Sequence, residues 1–102
     1  MAVSFSERLR VAPDVLFRLL GEEAVLLNLN TERYLGLNAV GTRMWNVLAR
    51  ADSIQAAYDE LLQEYEVEAA QLRKDIEEFI DQLIDQKLIE TGRATEAGRG
   101  SA

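Results

Sequence analysis

The chain has 102 residues, no cysteine, no histidine and a formal net charge of −7 at pH 7. This length suits a single domain with little room for a deep catalytic cavity. Without cysteine and histidine, the chain lacks a disulfide framework, a thiolate metal site and the commonest general base. The acidic charge weighs against non-specific binding to nucleic acid or to anionic membranes, and no apolar run approaches a membrane span. We therefore expect a cytoplasmic protein with no catalytic residue, metal or cofactor.

The two ends of the chain differ in composition from its middle. Residues 1–10 are mixed and polar, and we expect them to be loosely ordered. The tail 91–102, TGRATEAGRGSA, has almost nothing to bury and is predicted to be disordered. One domain over residues 11–90 remains.

Three strands are predicted in the first half of this domain. VLFRLL at 15–20 follows Pro13, which suits a strand start or an edge. Residues 24–29 then alternate with the period of two that is typical of a strand with one buried face. Residues 33–37 form a short return strand after a polar hairpin connection. In a simple meander, this third strand lies at an edge and leaves one side unpaired.

Three helices follow the strands, which favours an α+β fold. The first runs from about Ala39 to Ala49 behind the capping residue Asn38, and the second begins after Asp52 or Ser53. The third runs from about Ala69 to Gln86. Apolar residues recur at helical spacing in all three. The stripes are Val40, Met44, Val47 and Leu48; Ile54, Ala57, Tyr58, Leu61, Leu62 and Tyr65; and Leu72, Ile76, Phe79, Ile80, Leu83 and Ile84.

Acidic side chains on the third helix have the spacing of carboxylates that bind metal ions in helical bundles. They are Asp75, Glu77, Glu78, Asp81 and Asp85. Such sites also need histidine or inward-facing acids from other helices, and these acids lie off the apolar stripe. We interpret them as a solvated helix face. Strands combined with a helix-turn-helix-like run also suggest a DNA-binding winged helix, but the acidic third helix would repel phosphate.

The open edge of the third strand, next to a helix, can accept an extended peptide. Added strands gain main-chain hydrogen bonds, while pockets for alternate side chains supply sequence preference. We therefore expect Leu35→Pro to weaken peptide binding more than Glu77→Ala does. The plainer alternative is that Tyr34, Leu35 and Leu37 are only core and edge residues.

At this point the sequence resembles a known family. The run LNLNTERYLGLNAVGTRMW, the helix over 54–65, the Asp75-Ile76 step and the closing LIDQKLIE are similar to the PqqD family of peptide-recognition proteins. The resemblance covers roughly residues 10–90. It implies a winged helix-turn-helix-like fold in which a three-stranded antiparallel sheet is followed by three helices. It also implies that the leader segment of a ribosomally made, modified peptide binds as an added strand, with the third helix as the opposite wall.

Transferred residue by residue, the resemblance predicts a set of peptide-binding residues. On the third strand these are Arg33, Tyr34, Leu35, Gly36 and Leu37. On or beside the third helix they are Arg73, Asp75, Ile76, Phe79, Ile80, Leu83 and Lys87. We expect the apolar members to form leader pockets and the charged members to read charges.

The form of the YLGLN and AVGTRMW segments is similar to the stand-alone leader-binding proteins of lasso-peptide pathways. This similarity implies two partners, a precursor leader and a separate transglutaminase-like leader peptidase, and a monomer or weak dimer. One alternative is a protein of pyrroloquinoline quinone biosynthesis that presents a precursor to a radical enzyme dependent on S-adenosylmethionine. The other is the DNA-binding winged helix.

Overall fold

The computed structural model describes residues 4–90, and the prediction for the tail 91–102 lies outside this range. The elements in chain order are β1 (Arg10–Val11), β2 (Val15–Leu20), β3 (Glu23–Asn28), β4 (Tyr34–Leu37), α1 (Ala39–Arg50), α2 (Ile54–Glu64), α3 (Ala69–Asp85) and β5 (Ile89–Glu90). Strands β2, β3 and β4 form an antiparallel sheet in that order. The α+β fold with a winged-helix-like layout is confirmed, and β4 is the predicted third strand.

A glycine stabilises one hairpin turn of the sheet, and an asparagine side chain stabilises the other. Gly21 has a φ of 69° at the first position of the two-residue β2–β3 loop, where II′ turns favour glycine. In the β3–β4 loop, the Asn28 side chain accepts hydrogen bonds from the Asn30 and Thr31 amides at 2.8 and 3.1 Å. The first turn accompanies the register that pairs Leu26 with Phe17, and the second accompanies the register that pairs Leu26 with Leu35.

Side-chain caps begin the first two helices. The Asn38 side chain accepts from the Gly41 amide at 2.8 Å, and the Ser53 side chain accepts from the Ala56 amide at 3.0 Å. Both caps agree with the predictions. The third helix begins at Ala69 behind Glu68 without a side-chain cap. Among the described residues, no helix has the length and apolarity that crossing a membrane would require.

The core lies between the inner face of the sheet and the three helices. Its most deeply buried side chains are Leu26, Val47, Leu48, Leu61, Ile76, Ile80, Leu83 and Leu88. On the sheet, the inner face carries Ala24 and Leu26, so the residues between them point to the opposite face. Val40 departs from the predicted stripe of α1, since its side chain is 52% exposed.

Within residues 4–9, ahead of β1, the chain packs against the domain, although residues 1–10 were expected to be loosely ordered. Phe5 and Leu9 are both buried in the core. The backbone carbonyls of Phe5 and Glu7 also accept from the first amides of α2, at 2.7 and 2.8 Å. Strand β1 pairs with β5, which brings the start of the domain to its end. This pairing joins segments far apart in sequence, so local patterning could not reveal it.

Candidate functional site

The outer edge of β4 is unpaired within residues 4–90. The Asn28 amide donates to the Arg33 carbonyl at 2.8 Å, which fixes the alternation of the β3–β4 ladder. By this alternation, Leu35 and Leu37 direct their backbone groups to β3. Tyr34 and Gly36 direct their amides and carbonyls outward, so these two residues provide the donors and acceptors of the open edge.

A groove of about 290 Å³ lies between the end of β4 and the helices α1 and α3. Its lining residues are Gly36, Leu37, Asn38, Val40, Gly41, Met44, Asp75, Glu78, Phe79 and Gln82. Leu37, Met44 and Phe79 are 5%, 6% and 8% exposed, so the apolar side chains form the floor. The charged and amide side chains of α3 are exposed and form the rim.

The lining residues of α3 occupy one face of the helix. Asp75, Glu78, Phe79 and Gln82 are separated by three or four residues, which places their side chains on the same side. Asp75 accepts a hydrogen bond from the Gln71 side chain at 2.8 Å. This face therefore combines one apolar ring with two carboxylates and one amide.

Hydrogen bonds hold the β3–β4 turn against the end of α3. The buried Asn28 side chain donates to the Lys87 carbonyl at 2.6 Å, and Arg33 donates from Nη1 to the Asp85 carbonyl at 3.4 Å. Lys87 has a φ of 61° in the connection after α3. Predicted residues Arg33 and Lys87 therefore lie where strand and helix wall meet, at the end of β4 away from α1.

Three of the predicted pocket residues lie elsewhere. Ile76, Ile80 and Leu83 are 0%, 1% and 0% exposed and belong to the core. The apolar stripe of α3 must cover the sheet and the other helices first, and only Phe79 at its margin also reaches the groove. Sequence periodicity identifies this stripe but cannot divide it between core and groove.

Arg73 also lies outside the groove. Its guanidinium carbon is 4.0 Å from the centre of the Phe5 ring, and its Nε is 3.7 Å from a carboxylate oxygen of Glu77. Arg73 and Asp75 are two residues apart, and this spacing sends their side chains to opposite sides of a helix. Arg73 therefore packs against Phe5, whereas Asp75 lines the groove.

Several lining residues were not predicted from the sequence. Val40 and Met44 were interpreted as members of one core stripe, and Glu78 was interpreted as a solvated acid. Gln82 was not predicted to be a site residue. The spacing of Asp75, Glu78 and Gln82 on one face was visible in the sequence, but the position of β4 opposite that face depends on tertiary packing.

An ion pair with two hydrogen bonds joins α1 and α2. Arg43 donates from Nε and Nη2 to the two carboxylate oxygens of Glu64, each at 2.8 Å. This hydrogen bonding lowers the pKa of Glu64 and raises the pKa of Arg43. Within residues 4–90, no group of three or more histidine, cysteine, aspartate or glutamate residues is placed to hold a metal ion.

The fold and groove define a small winged-helix-like protein with an open sheet edge facing a helix. The chain belongs to the PqqD family, because the family described as Coenzyme PQQ synthesis protein D (PqqD) matches residues 23–89. The family predicted from the sequence is thus confirmed. The chain is also similar to the solved structure of TbiB1 in complex with the TbiA(beta) leader peptide. The TM-score is 0.73 at 31% identity, covering 79% of this chain and 94% of that chain. No protein with a curated description matches the chain.

Proposed function

We propose that this protein binds the leader segment of a ribosomally made precursor peptide. The leader adds as a strand to β4 and occupies the groove against α3. The protein is a recognition module without catalytic activity of its own, and it delivers the bound precursor to a modifying enzyme. In this proposal that enzyme is the separate leader peptidase of a lasso-peptide pathway.

The outward backbone groups of Tyr34 and Gly36 carry the proposal. An extended peptide beside β4 would exchange hydrogen bonds with both residues, as strand addition requires. Gly36 has no side chain at this edge, and a Cβ built there would meet no atom within 4 Å. Gly36 therefore adds no side-chain bulk beside the unpaired edge of β4, and the sheet face at this residue has free space.

Hydrogen bonds alone do not account for useful affinity. Four bonds at about 0.5 to 1.5 kcal/mol each fall within or below an association cost of roughly 4 to 15 kcal/mol. Burying about 300 Å² of apolar surface would add about 7 kcal/mol. Most of this surface would belong to the leader's own apolar side chains, because Leu37, Met44 and Phe79 at the floor expose little surface themselves.

The similarity to TbiB1 supports a leader peptide as the ligand. That relative was solved with a leader peptide, and it matches this chain over most of both lengths at 31% identity. The lasso assignment also agrees with the YLGLN and AVGTRMW segments of the sequence. A protein that presents a leader needs its edge available, so we propose a monomer or a weak dimer.

Delivery to a separate peptidase would supply chemistry that this chain lacks. The sequence contains no cysteine or histidine, and a transglutaminase-like peptidase would contribute its own nucleophile. Leader binding and delivery to the enzyme are tested by separate experiments. A binding measurement tests the first, and reconstitution with the peptidase tests the second.

A second candidate function is presentation of a precursor in pyrroloquinoline quinone biosynthesis. The family description favours it, since the matched family is named for that pathway. The same groove would then hold a precursor containing glutamate and tyrosine for a radical enzyme. Both candidates need strand addition to β4, and they differ in the peptide.

Fluorescence polarisation with labelled peptides tests the proposal. The probes are the TbiA(beta) leader peptide, a scrambled version, a pyrroloquinoline quinone precursor and a DNA duplex, each at low and high salt. We expect saturable binding of the leader that survives high salt, whereas DNA binding would weaken steeply with salt. Preference for the quinone precursor would move the assignment to the second candidate. If neither peptide binds saturably, the proposal is wrong.

Amide hydrogen exchange locates the bound peptide. The outward amides of Tyr34 and Gly36 should exchange more slowly when the leader is bound, because each gains a hydrogen bond. The Leu35 amide, already bonded to β3 in the free protein, is the internal control. Protection elsewhere on the surface without protection at Tyr34 and Gly36 would contradict strand addition.

A further inference from the structure

We infer that the groove selects a leader with a lysine or arginine at one position, read jointly by Asp75 and Glu78. This inference rests on the proposed function and names the specificity of the same groove. Asp75 and Glu78 form one rim of the groove, with the open edge of β4 as the other wall and the apolar floor between them. A peptide bound to β4 must therefore pass these carboxylates.

The spacing of the two carboxylates matches a single peptide position. Asp75 and Glu78 are three residues apart, which corresponds to about 4.5 Å along a helix. Side chains on the same side of an extended peptide recur only every second residue, or about 6.7 Å. One basic side chain directed at α3 can therefore reach both carboxylates, and its two same-side neighbours lie beyond them.

The charge of the groove lacks an internal counterpart. None of the residues that line it is a lysine or an arginine, and Asp75 and Glu78 take part in no salt bridge among the described residues. Arg33 lies at the other end of β4, where it bonds to the end of α3. Within the groove, a positive partner for these two carboxylates would come from the peptide.

The location of these acids also makes them a register marker. Asp75 and Glu78 face the α1 end of the groove, since they share it with Val40, Gly41 and Met44. Strand addition by backbone bonds tolerates shifts of two residues along the edge. A basic residue held at the α1 end would favour one of these registers. The net charge of −7 adds a long-range attraction for a basic peptide.

A positional scan of the peptide, combined with matched protein variants, tests the inference. The TbiA(beta) leader peptide serves as the template, and each position is replaced in turn by lysine, glutamine or glutamate. At one position we expect lysine to bind about threefold to fivefold tighter than glutamine, the upper part of the range for exposed ion pairs. Glutamate should bind more weakly there, and high salt should reduce the difference.

The variant Asp75→Asn with Glu78→Gln should lose this preference, and the variant Asp75→Lys with Glu78→Lys should invert it. Glu77→Gln with Asp81→Asn is the control, because it removes two charges from the same helix outside the groove. The control should keep the lysine preference. Thermal unfolding checks that all variants remain folded.

The alternative outcomes separate this inference from the proposed function. An unchanged lysine preference in the Asp75 and Glu78 variant would overturn the inference, while sensitivity of the same peptide to Gly36→Pro would leave strand addition in place. If the control variant Glu77→Gln with Asp81→Asn also lost the lysine preference, the preference would depend on the overall charge of the protein. This outcome would also overturn the inference. Absence of saturable binding by every peptide would overturn both.

Discussion

The sheet has two outer edges, β2 on one side and β4 on the other, and they differ in what lies beside the strand. Alternation of the ladder directs the backbone groups of Val15, Phe17 and Leu19 outward from β2, as it does those of Tyr34 and Gly36 from β4. The β2 edge is the longer, with six residues against four. Edge length alone would therefore favour β2 as the binding edge.

The second wall distinguishes β4. Residues of α1 and α3 lie across from its end and create a groove with an apolar floor. On β2, the side chain of Leu19 is 54% exposed, but no residue of this strand lines the groove, so side chains of a peptide added there would not enter it. Since backbone bonds alone do not offset the cost of association, an edge becomes a binding site where side-chain burial is added.

The largest expected effect comes from proline at the ladder side of β4. Leu35→Pro removes an amide that bonds to β3 and leaves a Leu26 carbonyl without its donor. We expect a loss of about 3 kcal/mol in the free energy of unfolding, measured by urea denaturation. Gly36→Pro should cost less than about 1 kcal/mol, because its amide points outward. Equal losses would contradict the assigned alternation. From the sequence, Leu35→Pro was expected to weaken peptide binding. Because the Leu35 amide bonds to β3, this substitution tests folding instead.

A smaller loss is expected when the tether between the β3–β4 turn and α3 is removed. Asn28 is 4% exposed and holds the Lys87 carbonyl as well as two turn amides. Asn28→Ala should lower the free energy of unfolding by about 2 kcal/mol and weaken leader binding, since strand and wall lose their link. The neighbouring Asn30→Ala, which keeps its backbone bond, is the control. A fully stable Asn28→Ala variant would show that the tether is dispensable.

The binding edge itself is tested by proline at equivalent positions of the two edges. Gly36→Pro removes an outward amide from β4, and Leu19→Pro removes one from β2. We expect Gly36→Pro to weaken leader binding about tenfold, through a lost hydrogen bond and the bulk of the ring. Leu19→Pro should leave the dissociation constant unchanged.

Gly36→Ala separates the amide from the added bulk. It keeps the amide and has space for its Cβ, so fluorescence polarisation should give nearly wild-type affinity. If Leu19→Pro weakened binding as much as Gly36→Pro, β4 would not be the only binding edge.

The smallest effect is expected at the ion pair beside the groove. Bonding to Arg43 lowers the pKa of Glu64 in the folded protein. The pair therefore stabilises the fold above the unfolded-state pKa of Glu64, and this contribution is lost as the pH falls through the folded-state pKa. Arg43→Gln should reduce the melting temperature slightly at pH 7 and by less once Glu64 is protonated, when only the longer contact of Arg43 with Glu60, at 3.6 Å, can remain. Leader binding should be unchanged, because Arg43 does not line the groove. A constant difference across pH would contradict this assignment.

Local chemistry determined much of the fold from the sequence. Strand β2 has the predicted bounds, and both side-chain caps lie at predicted residues, because alternation, turns and capping involve residues close together in the chain. The same local signals identified the apolar stripe of α3 and the open edge of the third strand. The family resemblance then supplied the candidate ligand.

Only the tertiary structure decided which members of these patterns face the groove. Ile76 and Phe79 share one stripe in the sequence, yet Ile76 is fully buried and Phe79 reaches the groove. In the sequence, Asp75 and Glu78 lie on one acidic helix face, and the family resemblance singled out Asp75 but not Glu78. The position of β4 opposite both is a result of packing. Burial of Phe5 and the pairing of β1 with β5 likewise join distant segments. The periodicity of a segment specifies which side of the helix or strand each residue occupies. What lies opposite that side depends on how the elements pack, and no short stretch of sequence contains this information.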